Sequence, residues 1–391
     1  MSFFGLFLKK ENKKSFIFEV ASGTVGGAVV SFDNKFTPHI YKTQREIIPF
    51  NQSISGAELH SSMLSTLKTV YENLIPFGKD INESHVVLSS PWIISETKIL
   101  SAKLPRPTVI SKNFIDSMIK EEEMRFEKIY EKEGNENYKF DVVQIEKKIT
   151  DIRLNGYSVV NPYEQKASSV EVPLFSSITS EKIIKELKDA VTKKTSIHKV
   201  TMHSSPLVSL FALRDISKGF SDFIYINVYG EMTDIMICTK NHISGISQFP
   251  IGTRTVLRKY IESSGKSLHL SMSEISMLIQ GALSEEDVER SIILKGFNKD
   301  WADGVSVAIK TLCEKSAIPP TIYISADSSF EPGFEKILRS EVLDSLSLLE
   351  GGINILGINT AKLSTYLINE NPGITDELIC LTALGVSRAI Q

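Results

Sequence analysis

Residues 16–33, FIFEVASGTVGGAVVSFD, place a short run of small residues between two β-rich segments, and an acidic residue lies near the end of the first. Successive backbone N–H groups in such a turn can surround a phosphate. Serine and threonine hydroxyls in the turn can add hydrogen bonds to it. The stretch therefore predicts a strand–turn–strand hairpin able to hold a phosphate group. Its candidate residues are Glu19, Ser22, Gly23, Thr24 and Val25.

A second stretch, FIYINVYGEMTDIMICTK at residues 223–240, repeats this arrangement. An apolar segment again leads through a polar residue and a glycine-containing turn to a Thr-Asp pair and another β-rich segment. Repetition of one supersecondary unit about 200 residues later indicates an internal duplication. We therefore expect two related halves, each with one hairpin.

The segments around the hairpins predict the layers that position them. Leu59, Met63, Leu67 and Tyr71 recur every four residues, which is helical spacing. HVVLSSPW, beginning at residue 85, is typical of a buried strand, so the first unit is expected to be an α/β layer. In residues 95–195, strand-like segments and two helical segments follow each other in a different pattern from that of the first unit. This pattern suggests a compact inserted α+β module. Residues 254–317 are expected to be largely helical, and PTIYISADSSF predicts a strand that enters a polar loop.

The composition is that of an ordinary globular protein of 391 residues, with 42% hydrophobic and 23% charged residues. A formal net charge of −3 gives no reason to expect nucleic-acid binding. The three cysteines, Cys238, Cys313 and Cys380, lack metal-ligand spacing and are expected to be buried in a protein of the reducing cytoplasm. The apolar leader Phe3–Leu8, followed by lysines, could touch a membrane surface, although a plain leader is the simpler interpretation.

Two phosphate hairpins followed by a late strand–loop–helix resemble the actin/Hsp70/sugar-kinase superfold. Within it the sequence is most similar to the bacterial FtsA and PilM group. ESHVVLSSPWIISETKIL stands where that group accepts a small inserted domain of SHS2 type. ITDIRLNGYSVVNPYEQKASSVEV looks like part of the FtsA insertion, and FPIGTRTV is similar to the segment after the second hairpin in both families. The resemblance covers nearly the whole chain and implies a duplicated, RNase H-like actin fold.

The resemblance also implies a division of the chain into subdomains. Residues 15–83, 196–217 and 371–391 would form subdomain 1A, and residues 84–195 the inserted α+β domain. Residues 218–265 and 318–370 would form subdomain 2A, with 266–317 as the helical subdomain 2B.

An actin-like site would hold ATP and Mg²⁺ between the two hairpins. By resemblance, Glu19 would reach the metal through water, where the superfold usually has Asp. The remaining implied nucleotide-binding residues are Ser22, Gly23, Thr24, Val25, Asn227, Gly230, Glu231, Thr233, Glu274, Ala326 and Asp327.

This sequence departs from the superfold at several of these positions. Asn227 replaces an expected Asp, and Tyr229 stands where a glycine usually allows phosphate approach. Ala326 and Asp327 replace paired glycines that let the backbone approach the adenosine. The sequence therefore predicts a degenerate ATP site with weak or no ATPase activity and assigns no catalytic residue.

Three functional hypotheses follow from the resemblance. The first is an FtsA-type scaffold, self-associating as a filament or dimer and linking an FtsZ-like division protein to the membrane from the cytoplasmic side. The second is a PilM-like scaffold that binds the cytoplasmic tail of a type IV pilus membrane protein. The Asn-Gly-Tyr…Asn-Pro run favours the first, and the apparent lack of a C-terminal anchor after LGVSRAIQ favours the second. The third is an active ATP-dependent kinase, which the substitutions at Asn227 and Ala326-Asp327 disfavour.

Overall fold

The computed structural model describes most of the chain. The described residues are 13–51, 55–78, 80–133, 142–193, 196–217, 222–279, 288–314, 316–326, 330–346, 352–371, 373 and 376–391. The leader Phe3–Leu8 and Asp327 lie outside them.

The first half opens with an antiparallel meander and continues with a helix and a parallel strand. These elements are β1 (Lys14–Val20), β2 (Thr24–Phe32), β3 (Pro38–Ile47), α1 (Gly56–Leu74), the 3₁₀ turn Ile75–Phe77 and β4 (Glu83–Leu88). Ser55 caps α1 through a capping box with Glu58. The predicted helical spacing is confirmed, because the four apolar residues that carry it are all buried on one face of α1.

The inserted unit is one antiparallel sheet with two helices. It contains β5 (Ile94–Val109), α2 (Lys112–Glu133), β6 (Val142–Ile149), β7 (Arg153–Leu154), β8 (Tyr157–Ser158), β9 (Lys166–Ser180) and α3 (Glu181–Thr192). The central strand β9 pairs with β5, β6 and β7. The unit also meets the second half, where Arg153 Nη2 lies 3.1 Å from His242 Nδ1.

The chain then returns to the first sheet and builds the second half. These elements are β10 (Lys199–Ser204), α4 (Ser205–Ile216), β11 (Phe223–Val228), β12 (Thr233–Thr239), β13 (His242–Phe249), α5 (Thr253–Ser264), α6 (Leu268–Ile279), α7 (Val288–Leu312) and β14 (Thr321–Ala326). The last elements are α8 (Glu331–Ile337), the π-helical turn Leu338–Val342, α9 (Leu343–Ser345), β15 (Asn354–Gly357), α10 (Thr360–Leu363), β16 (Ile368–Asn369) and α11 (Glu377–Ala389).

The two main sheets share one topology, except that the first has an additional strand, β16, beside β3. The first has the strand order β10-β4-β1-β2-β3-β16 and the second β13-β12-β11-β14-β15. In each, an antiparallel three-stranded meander is extended by two parallel strands on the side of its first strand. The predicted internal duplication is therefore confirmed, and both predicted hairpins are present.

Helices α4 and α11 join the two halves through one shared hydrophobic cluster. It includes Ile17 and Val30 of the first sheet, Phe223 and Tyr323 of the second, Leu210 of α4 and Leu384 of α11. All three cysteines are buried and free, as predicted. This shared core holds the two halves together. The cleft between them lies where the two hairpin turns meet.

Strand pairing differs from the predicted subdomain limits in two places. β4 falls within the predicted inserted domain 84–195 apart from its first residue, but it pairs with β1 and β10 of the first sheet. β16 falls within the predicted segment 318–370 of subdomain 2A, but it pairs with β3. Backbone hydrogen bonding thus places both strands in the first sheet, and the subdomain limits otherwise stay predictions.

Candidate functional site

The turns of the two hairpins touch each other across the cleft. Turn 1, residues 21–24, joins β1 to β2, and turn 2, residues 229–232, joins β11 to β12. A Cβ on Gly23 would lie 2.8 Å from Gly230 Cα, and a Cβ on Gly230 would lie 2.7 Å from Gly23 N. Such distances are sterically forbidden, so both positions require glycine. The Glu231 N–H also donates to Ser22 Oγ at 2.9 Å, which joins the turns directly.

Helix α5 holds turn 2 at its N-terminus. The N–H groups of Thr253 and Arg254 donate to the carbonyl oxygens of Tyr229 and Gly230, at 2.9 and 2.8 Å. These are helix N-terminal donors that would otherwise lack intrahelical partners. The carbonyl oxygens of turn 2 therefore accept hydrogen bonds from N–H groups that could otherwise bind an anion.

Arg254 crosses the cleft from α5 to the first half. Its guanidinium donates to the carbonyl oxygens of Gly23 at 3.0 Å, Pro49 at 3.3 Å and Ile48. On its own side it lies 3.8 Å from the Glu231 carboxylate, which also pairs with Arg258. The Arg254 side chain is buried, and burial lowers its pKa from the ordinary value.

Glu19, the predicted metal-linked carboxylate, is bound to an arginine. Arg45 Nη2 donates to Glu19 Oε2 at 2.6 Å, and Arg45 Nη1 donates to Thr24 Oγ1 at 2.8 Å. The same guanidinium makes two bonds to the Asp376 carboxylate, at 2.8 and 3.0 Å. Arg45 reaches Glu19 over Gly26, because the three residues lie side by side on adjacent strands. The Glu19 carboxylate, which a metal would need, is therefore already paired with the Arg45 guanidinium.

Asn227 belongs to a buried polar network below turn 2. Its Nδ2 donates to the Tyr229 hydroxyl at 2.9 Å, and that hydroxyl lies 2.9 Å from Ser205 Oγ in α4. Asp234 is the cross-strand partner of Asn227, and burial raises the pKa of its carboxyl to about 7, although hydrogen bonds from Ser90 oppose the shift. Uncharged side chains therefore suit this position better than a metal-binding carboxylate.

We expect the Asp234→Asn variant to gain stability over the native protein as pH rises from about 4 to 7. The folded carboxyl, with its pKa near 7, holds its proton more tightly than the unfolded one near 3.8, so ionisation destabilises the native fold across that interval. Asn does not ionise. Urea unfolding of both proteins between pH 4.5 and 8 measures the difference, whose slope can reach ~1.4 kcal/mol per pH unit.

Asp33→Asn is the control whose effect should not change over this pH interval. Hydrogen bonding from the backbone of Thr37 lowers the pKa of Asp33 below the unfolded value of 3.8, so the stability this carboxylate contributes is fully present above about pH 4 and is lost only at lower pH. A difference between Asp234→Asn and the native protein that is independent of pH would show that Asp234 is charged in the fold.

The side chains of the other described candidates make their contacts away from the point where the turns meet. Val25 is buried in the core of the first half. Thr233 Oγ1 accepts from Trp301 Nε1 and donates to the Ile251 carbonyl oxygen. Glu274 accepts from the Tyr260 hydroxyl at 2.7 Å and from Lys266 Nζ at 2.5 Å. Ala326 ends β14 beside Val228. The structure thus brings together Ser22, Gly23, Gly230 and Glu231, with Glu19 and Thr24 close by, but not the rest.

Among the described residues, a small cavity lies between the halves, with a volume of about 70 Å³. Small-molecule sites usually have ~300–1,000 Å³. Most of its lining is apolar and includes Ile47, Phe50, Leu257, Leu268, Met272 and Phe330.

Neither a protein-family model nor a curated protein matches the sequence. Among solved structures, the chain is similar to one described as the PilM-PilN type IV pilus biogenesis complex. The TM-score is 0.66 over 96% of this chain and 97% of that chain, at 10% identity. The chain has the actin-like fold. The resemblance to the FtsA/PilM group is thereby confirmed at the level of the fold.

Two further actin-like structures are more distant. The ethanolamine utilization protein EutJ from Carboxydothermus hydrogenoformans has a TM-score of 0.46 and 9% identity, over 96% of this chain and 89% of its own. The activator of 2-hydroxyisocaproyl-CoA dehydratase from Clostridium difficile, with bound ADPNP, has a TM-score of 0.42 and 11% identity, over 96% and 95%. Likenesses of this size do not bear on function at the cleft.

The described residues of this actin-like cleft do not fit Mg·ATP in the arrangement observed. The space between the turns is closed by contact of Gly23 with Gly230. The Glu19 carboxylate is neutralised by Arg45, and the cavity that the described residues enclose is far smaller than a nucleotide. Across the described residues, no three His, Cys, Asp or Glu side chains converge on a metal-sized site. No helix of the described ranges is long and apolar enough to cross a bilayer.

Proposed function

We propose that this chain is a bacterial actin-like scaffold of the FtsA/PilM type, which acts by binding proteins and not by turning over ATP. The observation that carries this proposal is the direct contact between the two hairpin turns. In an ATP-binding relative of this fold, the phosphates would lie between them. Here Ser22 Oγ and the Glu231 N–H, two groups suited to bind phosphate, bind each other instead.

The charges of the cleft support the same proposal. Phosphoryl transfer depends on metal ions and cationic groups placed around the transferred phosphate. Arg45, Arg254 and Arg258 are cations at the turns of the described chain, but their donors are directed at Glu19, Asp376, Glu231 and backbone carbonyl oxygens. A kinase, the third hypothesis, would need these groups free, so the scaffold is the better-supported function.

We expect the purified native protein to show no Mg²⁺-dependent binding of a fluorescent ATP analogue up to ~1 mM, which corresponds to less than ~4 kcal/mol of binding free energy. The physical reason is that binding would have to separate the turns and release Ser22 from Glu231. Fluorescence anisotropy with and without Mg²⁺ measures this directly.

Ser22→Asp is the control, because a carboxylate in turn 1 would repel phosphate in any working site. Micromolar, Mg²⁺-dependent binding that disappears in Ser22→Asp would overturn the proposal and restore the predicted ATP site. Equal, weak signals from both proteins would support the scaffold.

The partner of the scaffold belongs to one of two classes. One is an FtsZ-like division protein, and the other is the cytoplasmic tail of a pilus membrane protein, as in the PilM-PilN complex. Self-association and membrane contact through Phe3–Leu8 are compatible with both. Titrating the purified chain separately with the FtsZ-like protein and with the pilus tail peptide of the same bacterium distinguishes the two classes.

A further inference from the structure

The Arg254 side chain reaches from the second half into the first half at the cleft. It is 4% exposed, although it carries a charge, and its guanidinium donates to carbonyl oxygens of three residues of the first half. Two of these, Ile48 and Pro49, follow β3, and the third, Gly23, belongs to turn 1. Arginine suits this task because its planar head presents five donors in fixed directions.

The far end of this contact is anchored in the second half. The Arg254 N–H is bonded to Gly230 of turn 2, and its guanidinium lies near Glu231. Arg258, one helical turn later, holds the Glu231 carboxylate at 3.1 Å through Nη1. Arg258 therefore stiffens the second half but does not cross the cleft.

We propose that Arg254 is a built-in cleft ligand that holds the two halves closed in the way a bound nucleotide would. The proposal rests on the scaffold function above, since it assumes that no nucleotide takes this role. The closed form is then the resting form of the protein. Opening requires the guanidinium to give up its bonds to the carbonyl oxygens of Gly23, Pro49 and the buried Ile48, which opposes opening.

Hydrogen exchange tests this proposal on the full chain. In Arg254→Ala, the amides of Ile48 and Glu231, whose partners are Gly23 and Ser22, should exchange at least ~10-fold faster than in the native protein. The amides of Ile17 and Val86, in the centre of the first sheet, should keep their native rates. Unchanged exchange at Ile48 and Glu231 would overturn the proposal.

Arg258→Ala is the matched control on the same helix. It removes a cation of the same ion-pair group, but none of the bonds to the first half, so its effect on Ile48 should be less than ~3-fold. If exchange at Ile48 is equally fast in Arg258→Ala and Arg254→Ala, the positive charge of α5, and not the bonds of Arg254 to the first half, keeps the cleft closed. This result would overturn the proposal.

Chemical rescue distinguishes the bridge from a general loss of folding. Ethylguanidinium at millimolar concentration should slow exchange at Ile48 in Arg254→Ala, whereas ethylammonium should not, because it lacks the planar fork. If Arg254→Ala does not fold, Arg254→Lys provides the same comparison, with exchange intermediate between native and Ala-like rates expected and native rates overturning the proposal.

The ATP titration of the native protein remains an independent measurement. Nucleotide binding to the native protein together with faster exchange in Arg254→Ala would contradict the scaffold but leave Arg254 as a bridge. No nucleotide binding together with native exchange in Arg254→Ala would contradict the bridge alone.

Discussion

Replacing Arg45 with leucine is expected to lower the free energy of unfolding by ~3–5 kcal/mol, because it leaves two carboxylates without their cation. Glu19 and Asp376 both bind this guanidinium, and their side chains are only 6% and 14% exposed. Leucine fills much of the same space but offers no charge and no donor. Urea unfolding at pH 7 measures the loss, and the first half should account for it.

Two comparisons separate the charge from the packing of Arg45. The double variant Arg45→Leu/Glu19→Leu removes one stranded carboxylate and should recover part of the lost stability. Arg339→Leu removes an arginine of a half-exposed pair with Glu335 and should cost less than ~1 kcal/mol. If Arg45→Leu costs no more than Arg339→Leu, the Arg45 group is a surface contact and does not neutralise Glu19.

The duplicated fold could be predicted because its signals are local. Alternation within residues 16–33 and 223–240, and the four-residue spacing of Leu59, Met63 and Leu67, depend on neighbours within one element. The likeness of the two hairpins needed no knowledge of tertiary contacts. Limits of the subdomains depend on more than local signals, since β4 and β16 pair with strands distant in sequence.

The cleft could be predicted only in part, because its decisive partners lie far away in the sequence. Arg45 and Asp376 are separated by 331 positions, and Arg254 and Gly23 by 231. One of these contacts could have been predicted from the sequence. In a three-stranded meander, Arg45 lies opposite Gly26, and Gly26 lies opposite Glu19. An acidic and a basic residue flanking a glycine on adjacent strands predict an ion pair across the sheet.

The substitutions at the cleft make physical sense as a set. Tyr229 fills space where the superfold has glycine, and Asn227 binds its hydroxyl without adding charge. Arg45 balances Glu19, and Arg254 occupies carbonyl oxygens of the first half. In the proposed scaffold, these contacts from the chain itself would take the place of a bound metal nucleotide.

Substituting alanine for Gly385 is expected to destabilise the protein by roughly 3 kcal/mol, since α4 and α11 cross here without space for a side chain. A Cβ at Gly385 would collide with the carbonyl oxygen of Val208, a backbone atom that cannot rotate away. Gly296→Ala is the matched control, because this glycine also lies in a helix, α7, and its Cβ would meet nothing within 4 Å. There alanine should stabilise by ~1 kcal/mol through helix propensity alone. Urea unfolding of the two variants should therefore give opposite signs, and a neutral or stabilising Gly385→Ala would mean that the shared core tolerates separation of the helices that join the halves.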